Sequence, residues 1–357
     1  MNVINLSKWL ILALLVCPVF GEECLPVRDV PITILFEFGK LKPKPDDGFY
    51  RTKRRYIDTD NMRCVYVLDK SNHRILKYSE DGKFLNQIGS IGQNASDLYY
   101  PSAIRISGDS IYIVDQNGVW IKKYSQDGRF ISRIESGKKR ELIDCIDLDQ
   151  DHIFCDLRKI SRNFNQYKLL TVFDSKGKTV AQFGDIVKCH NIYAYLIFNS
   201  SFFSIVDENL TGALATVPII FKYKTNGTKV YQKDLRNMNL EIIRLLSEKT
   251  AKEKNNPYDT PEHMISPEGG VHSFNYCKGF DVDENSDIYF AAWGFDFPPV
   301  VYRFDPKGIP QEVIKLKIDG KDVAALGIFI NRSLKIKYGV GFIWEGISAV
   351  KPFFFKF

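Results

Sequence analysis

Apolar and polar positions alternate with a period of two through most of this chain, in short runs broken by Gly, Asp and Asn. That is the pattern of half-buried strands joined by tight turns. Two stretches are near-copies of one another. After Cys64 the chain reads VYVLDKSNHRILKYSEDGKFLNQIG, and from Ile111 it reads IYIVDQNGVWIKKYSQDGRFISRI. Each holds a strand ending in Asp (Asp69, Asp115), a short loop, a second strand ending in Lys-Tyr-Ser, an Asp-Gly turn and a third strand. Gly82 and Gly128 close those turns, because glycine accepts a positive φ without steric cost. Looser copies of the turn recur at Ser175-Lys176-Gly177, Asn226-Gly227 and Lys307-Gly308.

A fourth strand precedes each aromatic-bearing one, as in AIRISGDSIYIV from Ala103, IDLDQDHIFC from Ile146 and FDVDENSDIYF from Phe280. The first four turns recur at roughly 50 residues, close to the period of a four-stranded propeller blade. Such blades must close into a ring, since an open stack leaves unpaired strand edges. The endings Asn86-Gln87-Ile88-Gly89 and Ala181-Gln182-Phe183-Gly184 have a twin near the amino terminus, Phe36-Glu37-Phe38-Gly39. Residues 31–39 therefore read as an outer strand with no blade before it. Apolar runs at residues 325–330, 339–345 and 350–357 form a last blade one strand short. The prediction is an all-β, six-bladed propeller closed by an amino-terminal strand. Between blades four and five, NLEIIRLLSEKTAKEK carries Leu240, Ile243 and Leu246 at helical spacing, and Pro257, Pro261 and Pro267 follow. A helical insertion over about residues 238–273 is expected there.

The crossover into a blade has its own signature: Gly89, Gly92 and then Leu98-Tyr99-Tyr100-Pro101-Ser102-Ala103-Ile104, echoed by Gly269, Gly270 and Phe274 to Phe280. With the IYIVD and Asn72-His73-Arg74-Ile75 strings, the chain resembles the NHL-repeat family and, more loosely, bacterial six-bladed propellers. The likeness is sharp in units one, two and five and degenerate in the others. It implies a binding scaffold. Related six-bladed folds include calcium-dependent lactonases and zinc-dependent peptidylamidoglycolate lyases, so the resemblance also implies an alternative, a metal-dependent hydrolase or lyase holding calcium or zinc.

Composition narrows the picture. The 357 residues are 45% hydrophobic, 26% charged and 13% aromatic, which excludes intrinsic disorder for most of the chain. Lys plus Arg (49) exceeds Asp plus Glu (43) by only six, too little to argue nucleic-acid binding. Lys8, an apolar run from Trp9 to Phe20 and Gly21 read as a signal peptide over residues 1–21. The run is shorter than the roughly 20 apolar residues of a membrane span. The mature chain, residues 22–357, is then a monomeric propeller with no membrane span: periplasmic, cell-surface or secreted. Val16 and Glu23 precede Cys17 and Cys24, which argues against a lipidated cysteine.

Six cysteines remain after cleavage, and none has the CxxC spacing of a zinc or redox site. Cys145 and Cys155 are spaced symmetrically about Gln150, so they are expected to face one another across the inner hairpin of blade three and to be able to form a disulfide. His73 occupies a repeat position, and His152, His190, His263 and His272 fall at turns or in the insertion without visible convergence on a metal. Asp69, Asp115, Asp147, Asp149, Asp281 and Asp283 would suit calcium as oxygen ligands, but strand ends also demand Asp. The basic run Arg51, Lys53, Arg54 and Arg55 reads as a solvated loop. The most site-like group is Trp293, Phe295 and Phe297, in the loop between the middle strands of blade five, with His272 in the insertion overhanging the same face. These four residues are the candidate ligand-binding set, with no catalytic residue and no cofactor. The expected partner is a protein, peptide or glycan.

Overall fold

The computed structural model describes residues 25–43, 56–116, 119–136, 141–161, 163–189, 191–252, 276–294, 297–343 and 352–357. The signal segment, the basic run at 51–55, Cys17, Cys24, His190, His263, His272 and Phe295 lie outside them.

Four separate sheets are four-stranded meanders. Blade 1 is built from Ile57–Thr59, Val65–Asp69, Arg74–Tyr78 and Phe84–Ile88, and blade 2 from Ala103–Ser107, Ser110–Asp115, Trp120–Ser125 and Phe130–Glu135. Blade 3 uses Ile146–Leu148, His152–Cys155, Leu170–Asp174 and Thr179–Phe183, and blade 4 uses Ser201–Val206, Asn209–Leu214, Ile219–Lys224 and Lys229–Asp234. A nine-stranded sheet supplies two more meanders. Blade 5 is Gly279–Val282, Ile288–Gly294, Phe297–Phe304 and Pro310–Ile318; blade 6 is Lys321–Asn331, Ile336–Ile343 and Phe353–Lys356, joined by Thr33–Glu37 from the amino terminus.

The amino-terminal segment does more than the alternation suggests. Besides Thr33–Glu37 on blade 6, Val27–Pro31 runs parallel to the outer strand of blade 5. Arg28 fixes it there through Glu312, with Nε donating to Oε2 at 2.9 Å and Nη2 to Oε1 at 3.1 Å.

Alternation puts one apolar face of each sheet against the next, and among the described residues seven buried clusters result, two between blades 5 and 6 and one in each other gap of the ring. Tyr66, Ile104 and Ile113 fill the gap between blades 1 and 2, for example. Phe36, Phe38, Val67, Tyr338 and Phe354 fill the gap between blades 6 and 1. Each fully buried large side chain stabilises by about 1.5–3 kcal/mol.

The turn glycines serve this packing. Gly82 has φ +83°, and a Cβ there would lie 2.7 Å from Cβ of Phe36, on the outer strand of the preceding blade. Gly128 sits in the same way over Ile88, at 3.1 Å. The outer strands also share a device: in all six blades the pairing slips at one equivalent position, Leu35, Leu85, Ile131, Val180, Val230 or Gln311. A bulge of this kind twists an edge strand away from further pairing.

Among the described residues, two α-helices interrupt the β pattern. α1 (Ile192–Phe198) lies between blades 3 and 4; the side chain of its N-cap, Asn191, accepts from Ala194 N at 2.8 Å. Its sequence, IYAYLIF, is rich in β-branched and aromatic residues and gives no helical signal of its own. α2 (Glu241–Lys252) falls in the expected insertion, whose residues 253–275 lie outside the described ones.

The inner hairpin of blade 3 corrects the cysteine expectation. Ile146, not Cys145, stands opposite Cys155, and Cys145 O accepts from Asp156 N at 3.3 Å. The loop holds an even number of residues, Gln150 and Asp151, so the axis of the hairpin falls between them and not on Gln150. Neighbouring residues on a strand point to opposite faces. Cys145 accordingly packs in the cluster shared with blade 4 and Cys155 in the cluster shared with blade 2, with no disulfide between them.

Candidate functional site

Inner strands run side by side around the axis, so the ring has two mouths: one at their amino-terminal ends, where crossovers enter, and one at their carboxyl ends. α2 belongs to the first. Leu240, Ile242, Ile243 and Leu246 are buried with Phe280 and Tyr302 of blade 5. The Ile242 amide donates to the Tyr302 hydroxyl at 3.0 Å, and the hydroxyls of Ser247 and Tyr276 are 3.2 Å apart. The helix is a fixed part of this face.

Phe297 lies beside it, whereas Trp293 faces blade 6. Both stand in strands, Ile288–Gly294 and Phe297–Phe304, and not in the loop expected to carry them. Trp293 is only 7% exposed. Its indole Nε1 donates to Ala325 O at 2.8 Å, and its ring meets Phe342 edge-on at 5.4 Å. Its contacts thus join blade 5 to blade 6, and Phe297 packs, partly buried, against the cluster that seats α2. The Lys278 ammonium stands over the Trp293 ring, 4.8 Å from its centroid. Burial pushes the Lys278 amine down to about 8. Composition and spacing gave no reason to single out this lysine.

The acids have structural partners. Asp69 Oδ2 accepts from Arg74 Nε at 2.8 Å; Asp115 accepts from Tyr99 N at 2.7 Å and has Lys122 Nζ at 2.7 Å. Asp149 Oδ1 caps its turn, accepting from Asp151 N and His152 N at 2.9 and 2.7 Å, and Asp283 Oδ1 accepts from Asn285 N and Asp287 N, each at 3.0 Å. His73 Nδ1 accepts from Tyr100 N at 2.9 Å, which ties the first blade to the crossover into the second.

At the axis the blades alternate. Asp58, Asp147 and Asp281 occupy one position in the inner strands of blades 1, 3 and 5, and each reaches into the blade that follows. Asp58 Oδ2 accepts from Ile106 N, Asp147 Oδ2 from Ile205 N and Asp281 Oδ2 from Ile330 N, all at 2.8 Å. The other oxygen accepts from the next amide of its own strand, Thr59, Leu148 or Val282, at 2.9, 3.0 and 2.8 Å. Blades 2 and 4 answer with Arg105 and Ser204. Arg105 bridges both neighbours, with Nε and Nη2 on Asp147 at 2.7 and 3.3 Å and Nη1 on Asp58 at 3.3 Å. Ser204 Oγ donates to Asp281 Oδ1 at 2.6 Å. Burial works against the charge of Arg105, but Asp147, Asp58 and Asp281 outweigh it and raise its pKa. Oxygens engaged in this way do not fit a calcium site, since coordination would strip amide partners from buried N–H groups. Asp58 was not singled out from the sequence, yet IDTD, IDLD and FDVD, aligned, carry the alternation.

A family model for 6-bladed beta-propellers matches residues 55–289. The chain belongs to this family, DUF5128. No curated protein matches the family member described here. Among solved structures, it is similar to a Bacteroides fragilis NCTC 9343 protein named as a candidate for export, at 13% identity and TM-score 0.52, over 92% of this chain and 98% of that one. It is also similar to a DUF4221 member from Bacteroides vulgatus ATCC 8482, at 10% identity and TM-score 0.51, over 87% and 94%. A third likeness, to the calcium-binding protein regucalcin of Agrobacterium tumefaciens, has 10% identity and TM-score 0.50, over 93% and 95%. Identities this low carry the fold alone. Among the described residues of this propeller, no helix is long and apolar enough to cross a membrane.

Proposed function

We propose that this propeller is an exported, non-enzymatic scaffold, working as a monomer without a cofactor, that binds a protein, peptide or glycan through the face carrying the insertion. Trp293, Phe295, Phe297 and His272 make up its contact region, with Lys278 over the Trp293 ring. The observation that carries this reading is the seating of α2: a crossover insertion buried against blade 5, next to Phe297, builds up one face of a ring whose axial acids are already engaged in bonds between blades. The NHL-like strings of blades 1 and 2 and the exported name of one structural neighbour support the same reading.

Binding to peptide and glycan arrays tests it, comparing the intact chain with the double substitution His272→Ala and Phe295→Ala. A ligand lost by the variant, at unchanged melting temperature, is the expected result. Stoichiometric calcium or zinc that survives dialysis would overturn the cofactor-free reading and favour a metal-dependent hydrolase or lyase.

A further inference from the structure

The carboxyl-terminal ends of the inner strands leave a cavity of about 220 Å³ at the mouth opposite the insertion. Five of the six blades line it, and polar side chains predominate in its walls. Asn61, Thr59, Ser107 and Ser333 bring amide and hydroxyl groups, and Arg105 and Arg332 bring guanidinium groups. Asp58 and Asp147 also line it, so the formal charges of the two arginines and the two aspartates cancel. The arginines are held in place. Arg332 donates from Nε to Val282 O at 2.9 Å and from Nη2 to Asp281 Oδ1 at 3.1 Å. Arg105 has five N–H donors, of which its bonds to Asp147 and Asp58 use three.

We infer that this mouth is a second binding site, separate from the insertion face, and that it takes a neutral polyhydroxylated ring, a single sugar unit or the end of a glycan. The charge balance selects against ions: a net charge meets as much repulsion as attraction and still loses its hydration. A sugar hydroxyl both donates and accepts, and so matches a wall that mixes the hydroxyls of Thr59, Ser107 and Ser333 and the amide of Asn61 with guanidinium donors. Preorganisation adds to the match, because the ring bonds fix Arg105 and Asp147 before any ligand arrives. The volume fits as well. At about 30 Å³ per liquid water, the cavity corresponds to on the order of seven waters, enough room for one sugar ring.

Saturation-transfer NMR on the full chain with the methyl pyranosides of glucose, galactose and mannose tests this, with glucuronate and glucosamine as charged counterparts. At least one neutral probe is expected to bind with a Kd on the order of 1 mM. Ser107→Trp and Ser333→Trp fill the cavity from its exposed rim without touching the bonds between blades. Each should weaken binding by about tenfold or more at unchanged melting temperature. The inference is overturned if no neutral probe shows transfer, if a charged counterpart binds as tightly as the best neutral one, or if both tryptophan variants bind like the parent. His272→Ala with Phe295→Ala should leave sugar binding at this mouth intact, so failure here and failure of the insertion-face reading are separately visible.

Discussion

The propeller is held together differently at its axis and at its rim. At the axis the coupling is polar and has a period of two blades: a carboxylate in blades 1, 3 and 5 satisfies an amide of the blade that follows. At the rim it is apolar and has a period of one: a turn glycine in each of blades 1 to 5 leans on the outer strand of the blade before it. The contrast follows from solvent. Near the axis Asp58, Asp147 and Asp281 are buried, and leaving an amide there unmet costs about 1–3 kcal/mol, so direction and hydrogen bonding decide. At the rim the backbone is hydrated and close packing is what remains to be optimised.

The largest expected effect comes from removing the rim at the one place where it is made by a distant segment. Deleting residues 31–39 takes away Ile32, Phe36 and Phe38, all buried, and leaves blade 6 with an open edge. At about 1.5–3 kcal/mol per side chain the loss approaches the whole stability of an ordinary domain. The truncated chain should fail to give a cooperative melting transition. A melting temperature equal to that of the parent would show that the ring does not depend on its amino-terminal strand.

Next comes the axis. Asp281→Ala leaves the amides of Ile330 and Val282, the Ser204 hydroxyl and one nitrogen of Arg332 without their acceptor. A loss of about 3–5 kcal/mol is expected from chemical denaturation, since Asp281 is 1% exposed. Ser204→Ala, which removes one donor and leaves the amides paired, should cost about 1 kcal/mol. Equal losses for the two variants would mean that the carboxylate-to-amide bonds between blades carry no special weight.

Gly82→Ala sharpens the rim side. It combines a positive φ of +83° with a Cβ placed 2.7 Å from Phe36, whereas Gly320, at φ +77°, has nothing within 4 Å. Gly320→Ala should cost about 1 kcal/mol from the backbone alone, and Gly82→Ala about 1–2 kcal/mol more. The difference between the two midpoints in denaturant measures the contact between blades by itself. No difference would reduce the turn glycines to a conformational role.

These two kinds of contact were not equally legible in the sequence. The five rim turns combine a left-handed φ with a close approach to the neighbouring blade, a pair of demands that glycine meets best, so they stand out in the chain as DG, KG and NG. The carboxylates at the axis were visible only as strand-end acids, because what each one meets is a main-chain amide in the next blade, and amides carry no side-chain signature. Blade 6 was legible from the FEFG ending of its borrowed strand, but the parallel strand Val27–Pro31 was not, since VRDVP lacks alternation and is mostly exposed. Trp293 was read as an aromatic in a loop, but it lies in the strand Ile288–Gly294. Its burial against Ala324 and Phe342 is set by long-range packing that no local pattern shows.

The smallest effect concerns the thiols of blade 3, and it bears on the same register that aims the axial acids. Asp147 pairs with Phe154 and Ile146 with Cys155, so Asp147 and Cys145 project to the face that meets blade 4. A hairpin with Cys145 opposite Cys155 would be shifted by one residue, and Cys145 would then share the face of Cys155, away from the observed packing. Such a shift could not keep Asp147 on the Ile205 amide without moving the whole hairpin. Burial also pushes the Cys155 thiol well above its ordinary range, which leaves little thiolate to start an exchange. Both cysteines should therefore alkylate as free thiols once the chain is denatured without reductant, and reductant should leave the melting temperature of the native chain unchanged. A peptide linked through Cys145 and Cys155 in a non-reduced digest would refute the register, and with it the placement of Asp147 at the axis.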